Sequence, residues 1–291
     1  MTALAATKPR AASLVDGEFP LTAADFSALA EMLYAVSGIS LHESKAALVY
    51  SRLAKRLRAL NLKSFSEYVA LLADPASEEE RSRLLMSLTT NVTRFFREPH
   101  HFDHLVEQVL QPRAAAVRAG APLRLWSAAC STGQEPYSMA LAVLSVLPEA
   151  ADFDVRILAT DIDRSVINTA RAGAYSAEAI DAIPAAFRNR WLEKDESTAR
   201  TWRVGPEARA LVAFKPLNLI GDWPMRRAFD AIFCRNVVIY FDQDTQTKLW
   251  TRFRTHLAPH GRLYVGHSER VDDTGFVGDG QTVYRLAGGR P

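Results

Sequence analysis

Apolar positions recur at helical spacing from residue 21 to about 117. Thr22 can cap a helix carrying Phe26, Leu29, Met32 and Leu33, which Gly38 would end. A second helix is expected over 44–60, with an apolar stripe of Val49, Leu53, Leu57 and Leu60. Its other face carries Arg52, Lys55, Arg56 and Arg58, with no acid among them. Ser64 starts a short helix through Tyr68 and Leu72. Ser77 with Glu80 is a capping-box pattern ahead of Leu84, Leu85 and Leu88. A further helix is expected near 101–117.

After Pro122 the pattern alternates short apolar runs with helical stretches. Residues 123–126 and 155–161 read as buried strands, the second ending on Asp161. Residues 229–236 read as another strand, and 261–265 and 281–286 as the last ones. Between them lie a helix capped by Asp163 and stopped at Gly173, and a long helix capped by Asp242 and ended by Pro259 and Gly261. This alternation implies a mostly parallel sheet covered on both faces. One excursion, about 176–216, breaks it. It reads as an inserted helix near 185–192 plus a hairpin of 201–204 with 211–214, turned at Gly205-Pro206. The expected organisation is a disordered tail over 1–20, a helical domain over 21–90, a linker and helix over 91–121, and an α/β domain over 122–291.

The bulk composition narrows the class. With 48% hydrophobic and 23% charged residues, the chain can bury a sizeable core. A net charge of +2 excludes a globally basic nucleic-acid binder. No apolar run reaches a membrane span, and residues 1–20 lack the apolar core of a secretory signal. Two cysteines, Cys130 and Cys234, give no disulfide framework. They end strands that are often neighbours in this topology, so they are expected close together as small buried thiols. The cytoplasm is the default location.

The chemistry centres on 123–138, where a strand collapses into small residues, Ser127 to Gly133, before a helix with Pro136 in its first turn. Such a turn lets backbone approach a ligand at a helix N-terminus. Gly133 is the single glycine there, so the dinucleotide fingerprint is absent. Asp161, at the end of the next strand, suits ribose hydroxyls, since Asp163 can serve as the helix cap. Glu135 at the mouth of the helix either caps it or binds a cationic amine, and it would repel a phosphate. A ligand with a ribose, an amine and little negative charge fits, and S-adenosylmethionine has those features. The cluster His100, His101 and His104 lacks the acid of a zinc-protease pattern and reads as polar helix surface.

Four segments carry a more specific signal. They are Thr90-Asn-Val-Thr-Arg-Phe-Phe-Arg-Glu-Pro-His-His-Phe102, Ser131-Thr-Gly-Gln-Glu-Pro-Tyr-Ser138, Phe229-Asp-Ala-Ile-Phe-Cys-Arg-Asn-Val-Val-Ile-Tyr-Phe241 and Gly266-His-Ser-Glu269. In this order they resemble the signature segments of the chemotaxis receptor methyltransferases, the CheR family. The resemblance implies a Rossmann-like S-adenosylmethionine-dependent methyltransferase domain with a small β-hairpin subdomain, preceded by an all-α domain. It implies esterification of glutamate side chains on methyl-accepting chemotaxis receptors, with S-adenosylhomocysteine as product and no metal.

The resemblance also implies residue roles. Asn91, Thr93 and Arg97 would bind the cofactor, Arg97 through its carboxylate. Glu135 would hold the amine and Asp161 the ribose. Asn218 and Leu219 would meet the adenine, and Arg235 and Asn236 would close the site. Tyr240 would stand near the transferred methyl, with Arg97 beside it in the catalytic set. Arg52, Arg56 and Arg58 would face the receptor, although a basic face can equally be a solvated one. The hairpin would bind a receptor C-terminal peptide by strand addition. A monomer is expected, with no nucleic acid partner and no membrane insertion. Two rival readings remain at this level: a methyltransferase for a small carboxylic acid or nucleic acid, and a cofactor-sensing module without turnover.

Overall fold

Thr22 opens the first helix with a reciprocal cap. Its side chain accepts from the Asp25 backbone N–H at 3.1 Å, and the Asp25 carboxylate answers the Thr22 N–H. In the computed structural model, which describes residues 13–195, 198 and 200–289, this helix is α1 (Ala23–Ser37). Gly38 closes it at φ 73°, the left-handed conformation that favours glycine. Contacts divide the chain into two units, Met1–Thr90 and Asn91–Pro291.

In the first unit, α2 (Ala46–Ala59), α3 (Phe65–Ala73) and α4 (Glu78–Leu88) follow α1. Val49, Leu53 and Leu57 are buried with Leu29, Leu33, Phe65, Tyr68 and Leu84. Order begins earlier than expected from the small, polar N-terminal composition. β1 (Ser13–Val15) pairs antiparallel with β2 (Leu21–Thr22), and Phe19 is buried. Gly17 permits this turn because the Tyr50 ring occupies the space a side chain would need. Residues 1–12 of the expected tail lie outside the described residues.

The capping box at Ser77 does not form: Ser77 makes no side-chain cap bond. Glu80 turns instead to the Arg56 guanidinium, with Arg56 Nε donating at 2.6 Å, and accepts from the Tyr68 hydroxyl at 3.0 Å. A buried charge-assisted pair outweighs a partly solvated backbone cap. Burial pushes the Glu80 carboxyl up, but Arg56 and Tyr68 together hold it below the usual range.

The second unit begins with the segment 91–99, then α5 (His100–Leu105), a π-helical turn at Val106–Leu110 and α6 (Gln111–Arg118). The alternating part follows as β3 (Leu123–Ala128), α7 (Gln134–Val146), β4 (Val155–Asp161) and α8 (Arg164–Ala172). Next come β5 (Ala174–Ser176), α9 (Ala177–Ile180), α10 (Ala185–Trp191), β6 (Leu192–Lys194) and β7 (Thr201–Val204). The chain ends with α11 (Pro206–Leu211), β8 (Val212–Pro216), β9 (Phe229–Cys234), α12 (Gln243–His256), β10 (Leu257–Val265), β11 (Phe276–Gly280) and β12 (Val283–Leu286).

The main sheet runs β11-β12-β10-β9-β3-β4-β8. Its five strands from β10 to β8 are parallel, and β12 returns antiparallel along β10. Both faces are covered, which explains the continuous apolar runs. Leu125, Ile157 and Phe233 join a cluster with Leu105, Val109 and Leu141. Trp126, on the opposite face of β3, packs on Phe253 of α12, with ring centroids 5.4 Å apart. Among the described residues no helix is long and apolar enough to cross a membrane.

The inserted subdomain is present but is paired differently from the local reading. The runs 201–204 and 211–214 do form strands, yet they belong to different sheets. β7 pairs antiparallel with both β5 and β6, whereas β8 extends the main sheet beside β4. Pro206 starts a helix at N1 rather than a turn. The hairpin of the subdomain is therefore β6–β7.

The histidine cluster is not polar helix surface. His101 is fully buried, with ring contacts to Tyr264 and Phe233, and its Nε2 donates to the Gln281 carbonyl at 3.2 Å. His104 pairs with the Tyr264 hydroxyl at 3.1 Å. Among the described residues no group of His, Cys, Asp or Glu could hold a metal ion. Burial first, and the neighbouring Arg235 charge second, push the His101 imidazole down to about 3. Its folded value lies below the ordinary value of about 6.5. The stability it contributes is thus complete above about pH 6.5 and is lost as pH falls toward 3. Between pH 8 and 5 the loss should be about 2 kcal/mol, above the range where most carboxylates titrate. Denaturant unfolding of wild type and His101→Gln at both pH values checks this; equal losses in the two proteins would contradict it.

Candidate active site

The site grows from the carboxyl ends of β3, β4 and β9. Alternation along β3 puts Ser127 on the same face as Leu125, and its hydroxyl donates to Glu135 Oε1 at 2.7 Å. Past β3 the chain turns through Ala129 (φ 65°), Ser131 (φ 50°) and Gly133 (φ 97°). Gly133 needs its glycine twice over. Its φ is left-handed, and a Cβ would lie 2.8 Å from both Ala170 Cβ and the Tyr175 hydroxyl.

Asp161 and Asp163 divide two tasks. Asp163 caps α8, accepting from the Ser165 N–H at 2.7 Å. Asp161, at the end of β4, accepts from the Ser131 N–H at 2.8 Å and from the Asp163 N–H at 3.0 Å. The carboxylate keeps lone-pair capacity for a further donor. The Asn91 side chain donates to Asp163 at 3.2 Å, and the Asn91 backbone carbonyl accepts from the Ser131 hydroxyl at 2.9 Å. The segment beginning at Asn91 is thereby pinned to the 129–133 turn.

Arg235, directly after β9, joins the other side. Its side chain is only 1% exposed; Nη1 lies 3.4 Å from Glu135 and Nη2 lies 3.2 Å from Glu98. Nη2 also donates to the Arg97 carbonyl, and the guanidinium lies over the Phe102 and Phe233 rings. Five backbones in unfavoured left-handed conformations gather here: Phe96, Glu98, Ala129, Ser131 and Asn236. Such strain persists only where surrounding contacts over-determine it.

The charge balance defines what the site can take. Burial raises the Asp161 carboxyl, and also that of Glu135, although Arg235 and Ser127 pull Glu135 back. Two half-buried carboxylates, Glu98 and Glu135, share the buried guanidinium of Arg235, while the buried Asp161 carboxylate is held by backbone N–H groups. That set suits an amine cation and hydroxyl donors and disfavours a phosphate.

The other expected residues fall as follows. Thr93 and Arg97 are half-buried, and Arg97 Nη1 donates to the Val92 carbonyl at 3.2 Å. The Asn218 side-chain Oδ1 accepts from the Ile220 N–H at 3.2 Å. Leu219 is buried, with its carbonyl taken by Trp223 and Arg252. Asn236 continues the Arg235 loop, and Tyr240 at its tip is 36% exposed. Cys130 and Cys234 are both buried: Cys234 ends β9 in register with Ala128 of β3, and Cys130 lies two residues past that strand.

The basic face of α2 is engaged internally. Arg52 donates to the Leu88 and Thr89 carbonyls at 2.8 and 3.0 Å, Arg56 is bound to Glu80, and Arg58 pairs with Glu18 at 2.7 Å.

Sequence reasoning missed Ser127 and Glu98 as partners of the site, and the burial of Glu269 against the loop after β9. The small residues ending β3 were a usable signal for Ser127. Glu98 and Glu269 act on residues far along the chain, and periodicity carries no trace of that.

Comparison with known proteins adds independent evidence. Residues 91–278 match the family model "CheR methyltransferase, SAM binding domain", and residues 24–89 match "CheR methyltransferase, all-alpha domain". A probable chemotaxis protein methyltransferase of Rhizobium etli is 49% identical over 258 residues, covering 87% of this chain and 96% of the relative. Chemotaxis protein methyltransferase 2 of Pseudomonas aeruginosa is 44% identical, covering 93% and 95%. The Escherichia coli chemotaxis protein methyltransferase is 39% identical, covering 92% of each chain.

Proposed function

The chain belongs to the CheR methyltransferase family of S-adenosylmethionine-dependent chemotaxis enzymes, whose acceptors are receptor glutamates, and we propose that its own residues form glutamate methyl esters as follows. One observation carries the reading: Glu135 and Asp161, both withdrawn from water, flank a single strained turn that lacks the glycine-rich sequence of a phosphate loop. The donor set fits S-adenosylmethionine. Asp161 would take the ribose hydroxyls, Glu135 the amine and Arg97 the carboxylate, a bidentate match for a guanidinium. Asn91, Thr93, Asn236, Asn218 and Leu219 would complete the cofactor surface. Arg235, itself held by Glu135, Glu98 and the Arg97 carbonyl, would close the site with Asn236.

The cofactor supplies an electrophilic sulfonium methyl. A glutamate carboxylate has an ordinary value of about 4.3 and is ionised at neutral pH, so the nucleophile needs no general base. Negative nucleophile and positive electrophile neutralise one another toward the transition state. Strong stabilisation of the carboxylate charge would therefore oppose the reaction. The chain contributes alignment and exclusion of water, worth up to about 7–11 kcal/mol in well-oriented systems. Tyr240 and Arg97 position groups and exchange no proton.

Tyr240→Phe should lower turnover at least tenfold while leaving S-adenosylhomocysteine affinity within about threefold. Calorimetry and steady-state rates on receptor-containing membranes separate the two; equal loss of both would place Tyr240 in cofactor binding. Methyl transfer to RNA in preference to receptors would favour the rival enzyme class. Docking to the acidic receptor surface falls to α2 with Arg52, Arg56 and Arg58. Lys55 and Arg58 are exposed there, Arg58 pairing also with Glu18, whereas Arg56 also holds Glu80 and Arg52 the carbonyls at the end of α4. The hairpin β6–β7 is the candidate surface for a receptor tail, by strand addition along β6, which is an edge. The reaction would take place in the cytoplasm, on the receptors' cytoplasmic domains.

A further inference from the structure

Gly266-His-Ser-Glu269 stands out in the sequence, yet none of its residues has a part in the chemistry above. In the fold it follows β10, the strand beside β9. The Glu269 side chain is buried, and the residue is 4% exposed. Oε1 accepts from the backbone N–H groups of Val237, Val238 and Ile239 at 2.9, 2.7 and 3.3 Å. Oε2 accepts from Asn236 N–H at 2.8 Å and Gly266 N–H at 2.6 Å. Four consecutive N–H groups of the loop after β9 thus converge on one carboxylate. Successive backbone N–H groups make an anion-binding concavity of this kind. Here the chain fills it with its own side chain.

The loop so gathered leads from Arg235 to Tyr240. Its first residue after the arginine, Asn236, sits at φ 60°, and its tip, Ile239 and Tyr240, is 50% and 36% exposed. An exposed tip has little packing to set its position, so the carboxylate beneath it does that work. The space beneath is tight as well. A Cβ on Gly266 would lie 2.8 Å from Glu269 Oε2 and 2.5 Å from Asn236 Nδ2, so glycine is required for room rather than for φ.

We propose that Glu269 is a positioning residue: its carboxylate clamps the 236–239 backbone and thereby fixes Tyr240 over the reacting centre. This rests on the reading that Tyr240 stands near the transferred methyl. The chemistry demands a carboxylate. Five donors need the four lone-pair directions of two anionic oxygens, and an amide offers two of them plus two competing donors. Glu269→Gln would keep the shape and leave the Asn236 and Gly266 N–H groups facing an NH₂ group.

The test has an arm that needs no turnover. In the full-length protein, amide exchange of 236–239 should be slow although the tip is exposed, and at least tenfold faster in Glu269→Gln with the rest of β9 and β10 unchanged. Gly266→Ala, which displaces the same carboxylate, should reproduce that pattern if the first variant folds poorly. The second arm is a double-mutant cycle with Tyr240→Phe. Because Glu269 acts through Tyr240, the rate losses should not multiply: the double variant should turn over within about threefold of the slower single variant. Unchanged exchange at 236–239, multiplying losses, or a Tyr240→Phe variant with wild-type turnover overturns the proposal. Wild-type protein inactive on receptors would instead contradict the proposed function, and the exchange arm would still judge the clamp.

Discussion

Arg235→Leu should destabilise the 91–291 unit by about 3–5 kcal/mol and abolish methyl transfer. The expectation follows from what the guanidinium leaves behind. It is the shared partner of Glu98 at 3.2 Å and Glu135 at 3.4 Å, in surroundings where its own side chain is 1% exposed. Removing it strands two withdrawn carboxylates and frees the Arg97 carbonyl. It also removes a cation that lies over Phe102 and Phe233. Lysine should rescue little, because one ammonium cannot span two carboxylates as a planar fork does. The diagnostic variant is Arg235→Leu with Glu98→Gln. Taking away one orphaned charge should return a measurable part of the lost stability in denaturant unfolding. Wild-type stability in the single variant, or no recovery in the double, would mean that the network is not coupled as its geometry implies.

Asp161→Asn should weaken S-adenosylhomocysteine binding about a hundredfold, with only a small change in unfolding temperature. Hydrogen bonds to a charged acceptor contribute about 1.5–3 kcal/mol each, and a tenfold change in affinity is about 1.4 kcal/mol. The substitution removes the charge and one acceptor oxygen while keeping the shape. Helix α8 should survive, because Asp163 and not Asp161 is its cap. Calorimetry and thermal unfolding on the same variant separate ligand binding from folding. Affinity within threefold of wild type would show that Asp161 merely braces the Ser131 and Asp163 N–H groups.

What could be read from the sequence depended on how far apart the interacting residues lie. The caps at Thr22, Ser64, Asp163 and Asp242 are local, and each forms in the structure. Strands β3, β4 and β9 were legible because parallel strands buried on both faces carry largely apolar runs. Where a distant partner competed, local reasoning lost. Ser77 and Glu80 have the spacing of a capping box, but Arg56, 24 residues away, claims the carboxylate. Runs 201–204 and 211–214 look like neighbours across a turn, but a helix lies between them and β4 captures the second. His101 sits in a polar-looking cluster, yet α5 lays it against Tyr264. Glu269 behaves alike, since four of its five partners lie 30 to 33 residues back along the chain.

The same division applies to the candidate site. Glu135 and Asp161 announce themselves by standing at the ends of a helix and a strand. Arg235 was expected to close the site, and nothing in the sequence signals that its guanidinium is bound by Glu98, Glu135 and the Arg97 carbonyl. The arginines of α2 looked like a free basic face, and two of them hold the helical unit together through Glu80 and the carbonyls after α4. Charge at a position can be read from sequence, but whether that charge is already spent cannot.

The most direct measurement is transfer of labelled methyl from S-adenosylmethionine to receptor-containing membranes, followed by mild base. Glutamate methyl esters release their label as methanol under those conditions, and this is the predicted result. Label that survives base treatment, or that appears in RNA rather than in the receptors, would contradict the assignment of glutamate carboxylates as the methyl acceptors.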